Sequence, residues 1–216
     1  VPSVYEASKR WDINTEPVFR ICILMDEERI KKLVRELIVE IGEDPTREGL
    51  TKTPERVADT YKEIFAGYDS NSELSVQFSE DSEVVVVRDI QFYSMCEHHI
   101  LPFFGKIQLA YTPNGRVFGI SKLVRLVEKY SKRLQIQERM TKNIADELYS
   151  HGAKGVAVIA EAEHLCMKMR GVKNNATVSC AAFRGIYEKK EEKENIVNMI
   201  KNPSKTFFTQ NSWKDK

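Results

Sequence analysis

The sequence predicts an α+β fold in which an antiparallel sheet is backed by helices and preceded by an N-terminal helical unit. Apolar residues recur at helical spacings of three and four in the first third of the chain, whereas β-branched runs begin after residue 82. From there the predicted order is two strands, then helices, then two strands. Hairpins with helices between them favour this class over a parallel α/β fold.

The N-terminal third is predicted to be an arm followed by the helical unit. Residues 1–25 show no hydrophobic period and are expected to form the arm. Residues 26–67 carry two helical stretches, with Gly42 where the first helix should end and Pro54 in the first turn of the second. The polar segment 68–81 is predicted to be a loop before the sheet.

Residues 82–200 are predicted to form the main domain. Its strands are expected at residues 84–87, 107–111, 156–169 and 177–187. One helix, with an apolar face formed by Leu123, Leu126, Val127 and Tyr130, is expected to begin at a Ser121 cap. A second helix is indicated by an apolar stripe at a spacing of four, formed by Ile136, Met140, Ile144 and Leu148. The residues 112–115 predict a hairpin-type turn, the charge run 188–194 a solvated helix or loop, and residues 201–216 a disordered tail.

Bulk properties argue against several classes of protein. The net charge of +1 is not that of a chain dominated by nucleic-acid electrostatics, so no nucleic-acid partner is expected. No apolar run approaches the roughly 18–20 residues that span a bilayer, so no membrane partner is expected either. Four scattered cysteines do not form a disulfide framework at this length, and we expect a reducing, cytoplasmic compartment.

Three of the four histidines and two of the four cysteines fall into two short clusters. One is Cys96-Glu97-His98-His99, and the other is His164-Leu165-Cys166, with Arg170 close behind. Thiolate and imidazole are the ligands that zinc prefers. A single cysteine or histidine is more often structural, so it is the combination of two clusters that favours a zinc site. Cys22 and Cys180 have no histidine nearby and are expected to be structural.

The ligand set within the first cluster stays open at this point. On an extended strand Cys96 would share a side with His98, whereas a turn would bring Cys96 to His99. Two cysteines and one histidine leave a fourth position for water, whose pKa zinc lowers to about 7. A fourth protein ligand would instead close the site and make it structural. Histidines left over beside the metal would suit proton transfer.

The second cluster lies on the predicted strand 156–169. Alternate residues of a strand point to the same side, which would place His164, Cys166 and Arg170 on one face. Branched apolar side chains would be expected there if the face were part of a core. The stripe therefore favours a site.

A set of cations and one carboxylate complete the candidate site. Lys122 and Arg125 lie one turn apart on the helix that Ser121 is expected to begin, and a helix N-terminus flanked by cations suits a polyphosphate. Arg56 in the helical unit is a further candidate. The carboxylate in Gln137-Glu138 can accept hydrogen bonds from a guanidine-like edge.

Together these motifs resemble one family, GTP cyclohydrolase I. The resemblance covers about residues 26–200, and the matching segments are residues 43–50, 52–57, 96–106, 119–123, 130–139 and 164–171. It implies a tunnelling fold (T-fold), with residues 82–200 as the catalytic domain. It also implies a homodecamer of two facing pentamers, in which subunit sheets join into a barrel and active sites lie at subunit interfaces.

The resemblance further implies zinc-dependent hydrolysis of GTP to formate and 7,8-dihydroneopterin triphosphate, the first step of folate or tetrahydrobiopterin biosynthesis. By family motif, the Zn²⁺ ligands are Cys96, His99 and Cys166. The implied catalytic proton carriers are His98 and His164. The implied substrate-binding residues are Gln137 and Glu138 at the pyrimidine edge of the base and Ser121, Lys122, Arg125, Arg170 and Arg56 at the triphosphate.

Two alternatives belong to other classes. Another T-fold enzyme would be a pterin synthase with an all-histidine site, or a nitrile reductase with a nucleophilic cysteine and no zinc. A zinc-stapled nucleic-acid-binding module would need a closed four-ligand site and a basic surface. The Cys/His set and the net charge disfavour both. The final strand departs from the family pattern at Phe183-Arg184, where apolar residues are expected, and the sequence leaves open the pathway and any feedback regulatory protein.

Overall fold

A computed structural model describes residues 25–69, 74, 77–80 and 82–202. The predicted arm up to residue 24, including Cys22, and the tail from residue 203 lie outside the described residues. The helices are α1 Glu27–Glu40, α2 Thr53–Ile64, α3 Ile120–Ser131, α4 Gln137–Ser150, α5 Leu165–Lys168 and α6 Lys190–Lys201. The strands are β1 Gln77–Ser79, β2 Val85–Cys96, β3 Leu101–Thr112, β4 Arg116–Phe118, β5 Leu134–Gln135, β6 Gly155–His164 and β7 Val178–Gly185.

The central sheet has five strands in the order β5-β2-β3-β6-β7. Its four long strands are antiparallel, which confirms the predicted α+β class with an antiparallel sheet. The two-residue β5 pairs in parallel with Met95 and Cys96 at the end of β2. A separate two-stranded sheet pairs β1 with β4.

Helices cover both faces of the central sheet. On one face, α3 and α4 bury the predicted apolar stripes, and Leu126 and Ile144 pack in one cluster with Ile107 of β3. On the other face, α6 buries Ile196 and Ile200 beside Ala157 of β6. Fully burying a side chain of this size stabilises the fold by about 1.5–3 kcal/mol, so these stripes account for the layered arrangement.

The N-terminal unit has the two predicted helices. The Asp26 side chain accepts a hydrogen bond from Arg29 N and caps α1, and Gly42 follows α1 with a φ of 88°. Helix α2 begins at Thr53 with Pro54 in its first turn, as predicted, and Lys52 takes the N-cap position. A 3₁₀ turn at Ala66–Tyr68 then continues the chain beyond α2.

The segment 68–81 is not all loop as predicted, because it contains strand β1, which pairs with β4. Three further predicted details are wrong. The strand predicted at 156–169 ends at His164, which pairs with Phe103 of β3. The next residue would face Pro102, which has no N–H to donate, so the pairing stops there. The chain then turns into α5, so His164 and Cys166 do not share one strand face with Arg170.

The second wrong detail is the hairpin predicted at residues 112–115. A turn is present, with Gly115 at a φ of 73°, but β4 leaves the central sheet and pairs with β1 instead of β3. The third is the Ser121 cap: Gly119 takes the N-cap position of α3, and Ser121 lies inside the first turn. The backbone of Lys122 donates to Gly119 O there, so the helix starts earlier than the serine suggested.

The departure at Phe183-Arg184 is accommodated on opposite faces of β7. Arg184 Nε donates to Asp146 Oδ1 of α4, which gives the cation a carboxylate partner. The Phe183 ring packs with α6, and Lys193 Nζ lies 4.4 Å from the ring centroid. No helix within the described residues has both the length and the apolar character to cross a membrane.

Candidate metal centre and active site

The first cluster forms the turn that joins β2 to β3. Cys96 is the last residue of β2 and pairs with Leu101, the first residue of β3. The amide of Ile100 donates to Cys96 O at 2.8 Å and closes the turn. Ile100 has a φ of 51°, a left-handed conformation that a β-branched residue rarely adopts. The tight turn therefore holds the segment between Cys96 and Ile100 in one shape.

This turn brings Cys96 and His99 to the second cluster. One ligand atom each from Cys96, His99 and Cys166 lies within 4.8 Å of the other two. Among the described residues, His98 belongs to no such group, although its Nδ1 lies 3.8 Å from Cys96 Sγ. Burial, followed by the neighbouring Cys96 thiol, raises the pKa of Cys166. Two thiols and an imidazole that converge in this way have the chemistry of a soft-metal site.

Arg170 follows α5 and reaches the same cluster. Its Nη1 lies 2.7 Å from His99 Nε2, and only arginine can be the donor in this contact. An imidazole that ligates a metal cannot accept this bond: the metal occupies Nε2, or ligation by Nδ1 leaves a hydrogen on Nε2. Metal binding by His99 and this contact therefore exclude one another, and a bound metal frees the Arg170 guanidinium.

His164 lies at the end of β6, beside the metal cluster. Its ring stacks on Phe103, with centroids 4.7 Å apart and planes 2° from parallel. Its Nε2 lies 2.8 Å from Oε1 of Gln137, the first residue of α4. Burial lowers the pKa of His164, and the Glu138 carboxylate opposes this shift.

An ion pair that the sequence did not suggest joins the metal turn to α4. Arg139 donates two hydrogen bonds to the carboxylate of Glu97, which lies between Cys96 and His98. The pKa of Glu97 is lowered chiefly by this hydrogen bonding with Arg139. The sequence shows Arg139 near the candidate site, directly after Glu138. Spacing alone could not show that it forms an ion pair with Glu97.

The remaining predicted site residues lie on other elements. Ser121, Lys122 and Arg125 lie in the first two turns of α3, and Arg56 lies in α2. Glu138 is exposed in the first turn of α4. Within the described part of the chain, no hydrogen bond or ion pair connects these four α2 and α3 residues to the metal cluster. A single chain thus brings the three candidate metal ligands, both histidines and Glu138 together.

A sequence model of GTP cyclohydrolase I matches residues 30–201. The chain belongs to the GTP cyclohydrolase I family. GTP cyclohydrolase 1 of Hyperthermus butylicus is 53% identical over 178 residues, which cover 82% of this chain and 92% of that protein. GTP cyclohydrolase 1 of Clostridium kluyveri is 52% identical over 184 residues, which cover 82% of this chain and 99% of that protein.

Membership of the GTP cyclohydrolase I family confirms the resemblance and makes the chain an enzyme, a hydrolase. This assignment rules out the alternative interpretations as a pterin synthase, a nitrile reductase or a zinc-stapled binding module. Among solved structures, an archaeosine synthase described as QueF-like, in the apo form, matches with a TM-score of 0.42 and 16% identity. That match covers 49% of this chain and 97% of the other, and the family assignment does not depend on it.

Proposed function

We propose that this chain is a zinc-dependent enzyme that hydrolyses GTP to formate and 7,8-dihydroneopterin triphosphate. The observation that carries the proposal is the convergence of Cys96, His99 and Cys166 beside His164, in a chain of the GTP cyclohydrolase I family. The product would enter folate or tetrahydrobiopterin biosynthesis. Free thiols at the centre also support the proposed cytoplasmic location, since thiols persist in reducing compartments.

The donor set fits zinc as the resident metal. Cys96, His99 and Cys166 would hold it as a three-ligand site with an open position, the arrangement of catalytic zinc. Zinc bound there would supply a Lewis acid and a water molecule whose pKa is near neutral. The ion pair between Glu97 and Arg139 holds the residue that follows Cys96 against α4.

Three side chains are proposed to bind the guanine of GTP and to open its imidazole ring. The exposed Glu138 carboxylate accepts hydrogen bonds from the donors of the pyrimidine edge. His98 protonates the imidazole-ring nitrogen as one water adds to C8 and the ring opens. A second water releases C8 as formate. His164 carries protons during ring opening, during the later rearrangement of the ribose, and during closure of the new ring, which releases one water.

The triphosphate is proposed to bind a set of cations at the N-terminal end of α3. Ser121, Lys122 and Arg125 would contribute from that end, where main-chain N–H groups also favour anions. Arg170 would join them once metal ligation ends its contact with His99. Arg56 is proposed to come from a neighbouring copy.

The proposed assembly is a homodecamer of two facing pentamers, with the sheets joined into the barrel of a T-fold. Two features support it. The α2 and α3 cations have no described connection to the metal centre of their own chain. The outer edges of the central sheet, β7 and most of β2, carry main-chain groups that no described strand pairs with.

The test is product analysis with and without a chelator. Metal-replete protein incubated with GTP should release formate and a pterin that becomes fluorescent on oxidation, in equal amounts. Chelation should abolish both products, and added zinc should restore both. Absence of formate from metal-replete protein would contradict the proposed reaction. Restoration by another divalent metal but not by zinc would contradict the proposed cofactor.

A further inference from the structure

The Gln137 side chain lies inside the protein and is saturated with protein partners. Only 1% of Gln137 is exposed. Its Nε2 donates to Ala160 O of β6 and to Val178 O of β7, each at 3.0 Å. Its Oε1 lies 2.8 Å from His164 Nε2. A primary amide has two N–H donors, and both are used, so this side chain has no donor left for a substrate.

These contacts also fix which end of the amide is which. Two carbonyl oxygens face one end, and a carbonyl can only accept, so that end must be the NH₂ group. A flipped amide would set Oε1 against two carbonyl oxygens, where it has no donor, which costs about 1–3 kcal/mol for a buried group. Because Ala160 and Val178 belong to adjacent strands, the sheet itself sets the orientation of the Gln137 amide.

The fixed amide determines the protonation of His164. Since Oε1 can only accept, His164 Nε2 must be the donor and carry the hydrogen. Turning the ring over would place a carbon against Oε1 and lose the bond, and the stacked Phe103 ring holds the ring plane. In the neutral imidazole Nδ1 is therefore bare, and no described residue donates a hydrogen bond to it.

We propose that Gln137 is a positioning residue that holds His164 as the Nε2–H tautomer and presents Nδ1 to the substrate as a proton acceptor. The assignment rests on the proposed function for its catalytic consequence. It moves the Gln137 side chain from the pyrimidine edge, where the family resemblance put it with Glu138, to the support of His164. Asparagine is one methylene shorter, and glutamate cannot donate to the two carbonyls, so glutamine alone satisfies all three contacts.

The first experiment reads the tautomer directly and needs no turnover. The chain has four histidines, so ¹⁵N-imidazole spectra of histidine-labelled, zinc-loaded protein are simple, and His164→Gln identifies the His164 signals. The expected result is a protonated Nε2 and a bare Nδ1 on His164. A protonated Nδ1 with a bare Nε2 would overturn the proposal even if the enzyme turns over GTP.

The second experiment separates positioning from binding. Gln137→Met keeps the length and removes all three hydrogen bonds. We expect its kcat to fall at least about tenfold, because acid–base groups contribute about 10²–10⁴-fold and Phe103 still holds the ring plane. We expect its KM for GTP to stay within about threefold and its zinc content to be unchanged.

The matched control is Thr141→Val, one turn further along α4. Thr141 is equally buried, and its hydroxyl donates to the main-chain oxygen of Gln137 rather than to His164. The kcat and KM of the Thr141→Val variant should stay within about twofold of wild type. A raised KM at unchanged kcat in Gln137→Met, lost zinc, or an equal fall in kcat in both variants would each overturn the proposal. If wild-type protein forms no product, the proposed function fails, and the tautomer spectra still decide the placement of His164.

Discussion

At the scale of single residues, the turn between β2 and β3 places two adjacent histidines differently. His99 joins Cys96 and Cys166, whereas His98 stays outside the group. The left-handed conformation of Ile100, which costs about 1–3 kcal/mol at a non-glycine residue, persists because the β2–β3 pairing determines the turn on both sides. The backbone strain is thus located where the ligand geometry is set.

This separation predicts opposite effects on metal content. Cys166→Ala should lose zinc and turnover together, since two ligands do not hold the metal. His98→Ala should keep about one zinc per chain while kcat falls on the order of 10²-fold or more, as expected for loss of an acid–base group. Elemental analysis and formate release measure the two effects. Zinc loss in His98→Ala, or retained zinc in Cys166→Ala, would contradict the ligand assignment.

The sequence could predict which residues converge at the candidate metal centre, but not their surroundings. The residue types and motifs of Cys96, His99 and Cys166 are enough to indicate a metal centre. The bonds from Gln137 to His164 and from Arg139 to Glu97 depend on how α4 lies across the strands and the turn. Periodicity describes one element at a time, so it carries no information about which side chains meet between elements.

At the scale of elements, the ladder between β3 and β6 sets the geometry of the centre. Phe103 pairs with His164, and two residues further along Gly105 pairs with Ala162. A Cβ on Gly105 would lie 1.9 Å from the main-chain oxygen of Glu161, so only glycine allows the two strands to approach this closely.

Gly105→Ala should therefore lower the free energy of unfolding by about 3 kcal/mol, the upper end for overpacking, because a main chain has to move. Chemical denaturation measures this change. Gly49→Ala is the control: its nearest neighbour would be Arg47 Nη1 at 3.6 Å, an ordinary contact, and the change should stay within about 0.5 kcal/mol. Equal effects of the two substitutions would mean that the close approach is not what requires Gly105.

The helices were easier to predict than the strand ends. The apolar stripes of α3 and α4 repeat over three turns or more, so a single residue that breaks the pattern does not hide the helix. The end of β6 at His164 is set by its partner strand, and the same alternation of side chains continues into α5. The pairing of β4 with β1 likewise could not be predicted, because a turn motif does not identify the partner of the strand that follows it.

At the scale of the whole molecule, the proposed triphosphate site needs more than one chain. A head-to-tail arrangement closes a ring in which each site takes residues from two copies. Arg56→Ala and His98→Ala, co-expressed in equal amounts, should therefore regain about a quarter of the wild-type rate at limiting GTP, since random mixing leaves one site in four intact.

Each variant expressed alone should stay nearly inactive under the same conditions. Sedimentation should give a particle of ten times the chain mass of 24.9 kDa for both variants and for the mixture. Mixed particles that remain inactive would mean that Arg56 acts within its own chain or not at all. A particle with the mass of a single chain would contradict the proposal that copies share a site.

The order of the metal ligands along the chain has a consequence for biosynthesis. Cys96 and His99 leave the ribosome first, and α3, β5, α4 and β6 must all follow before Cys166 appears. A nascent chain therefore carries two of the three candidate ligands, Cys96 and His99, until Cys166 is added. If the centre binds zinc as proposed, metal capture is a late event, coupled to completion of the β3–β6 ladder. On the proposed function, a product truncated before Cys166 would stay without metal, and metal content would distinguish finished chains from unfinished ones.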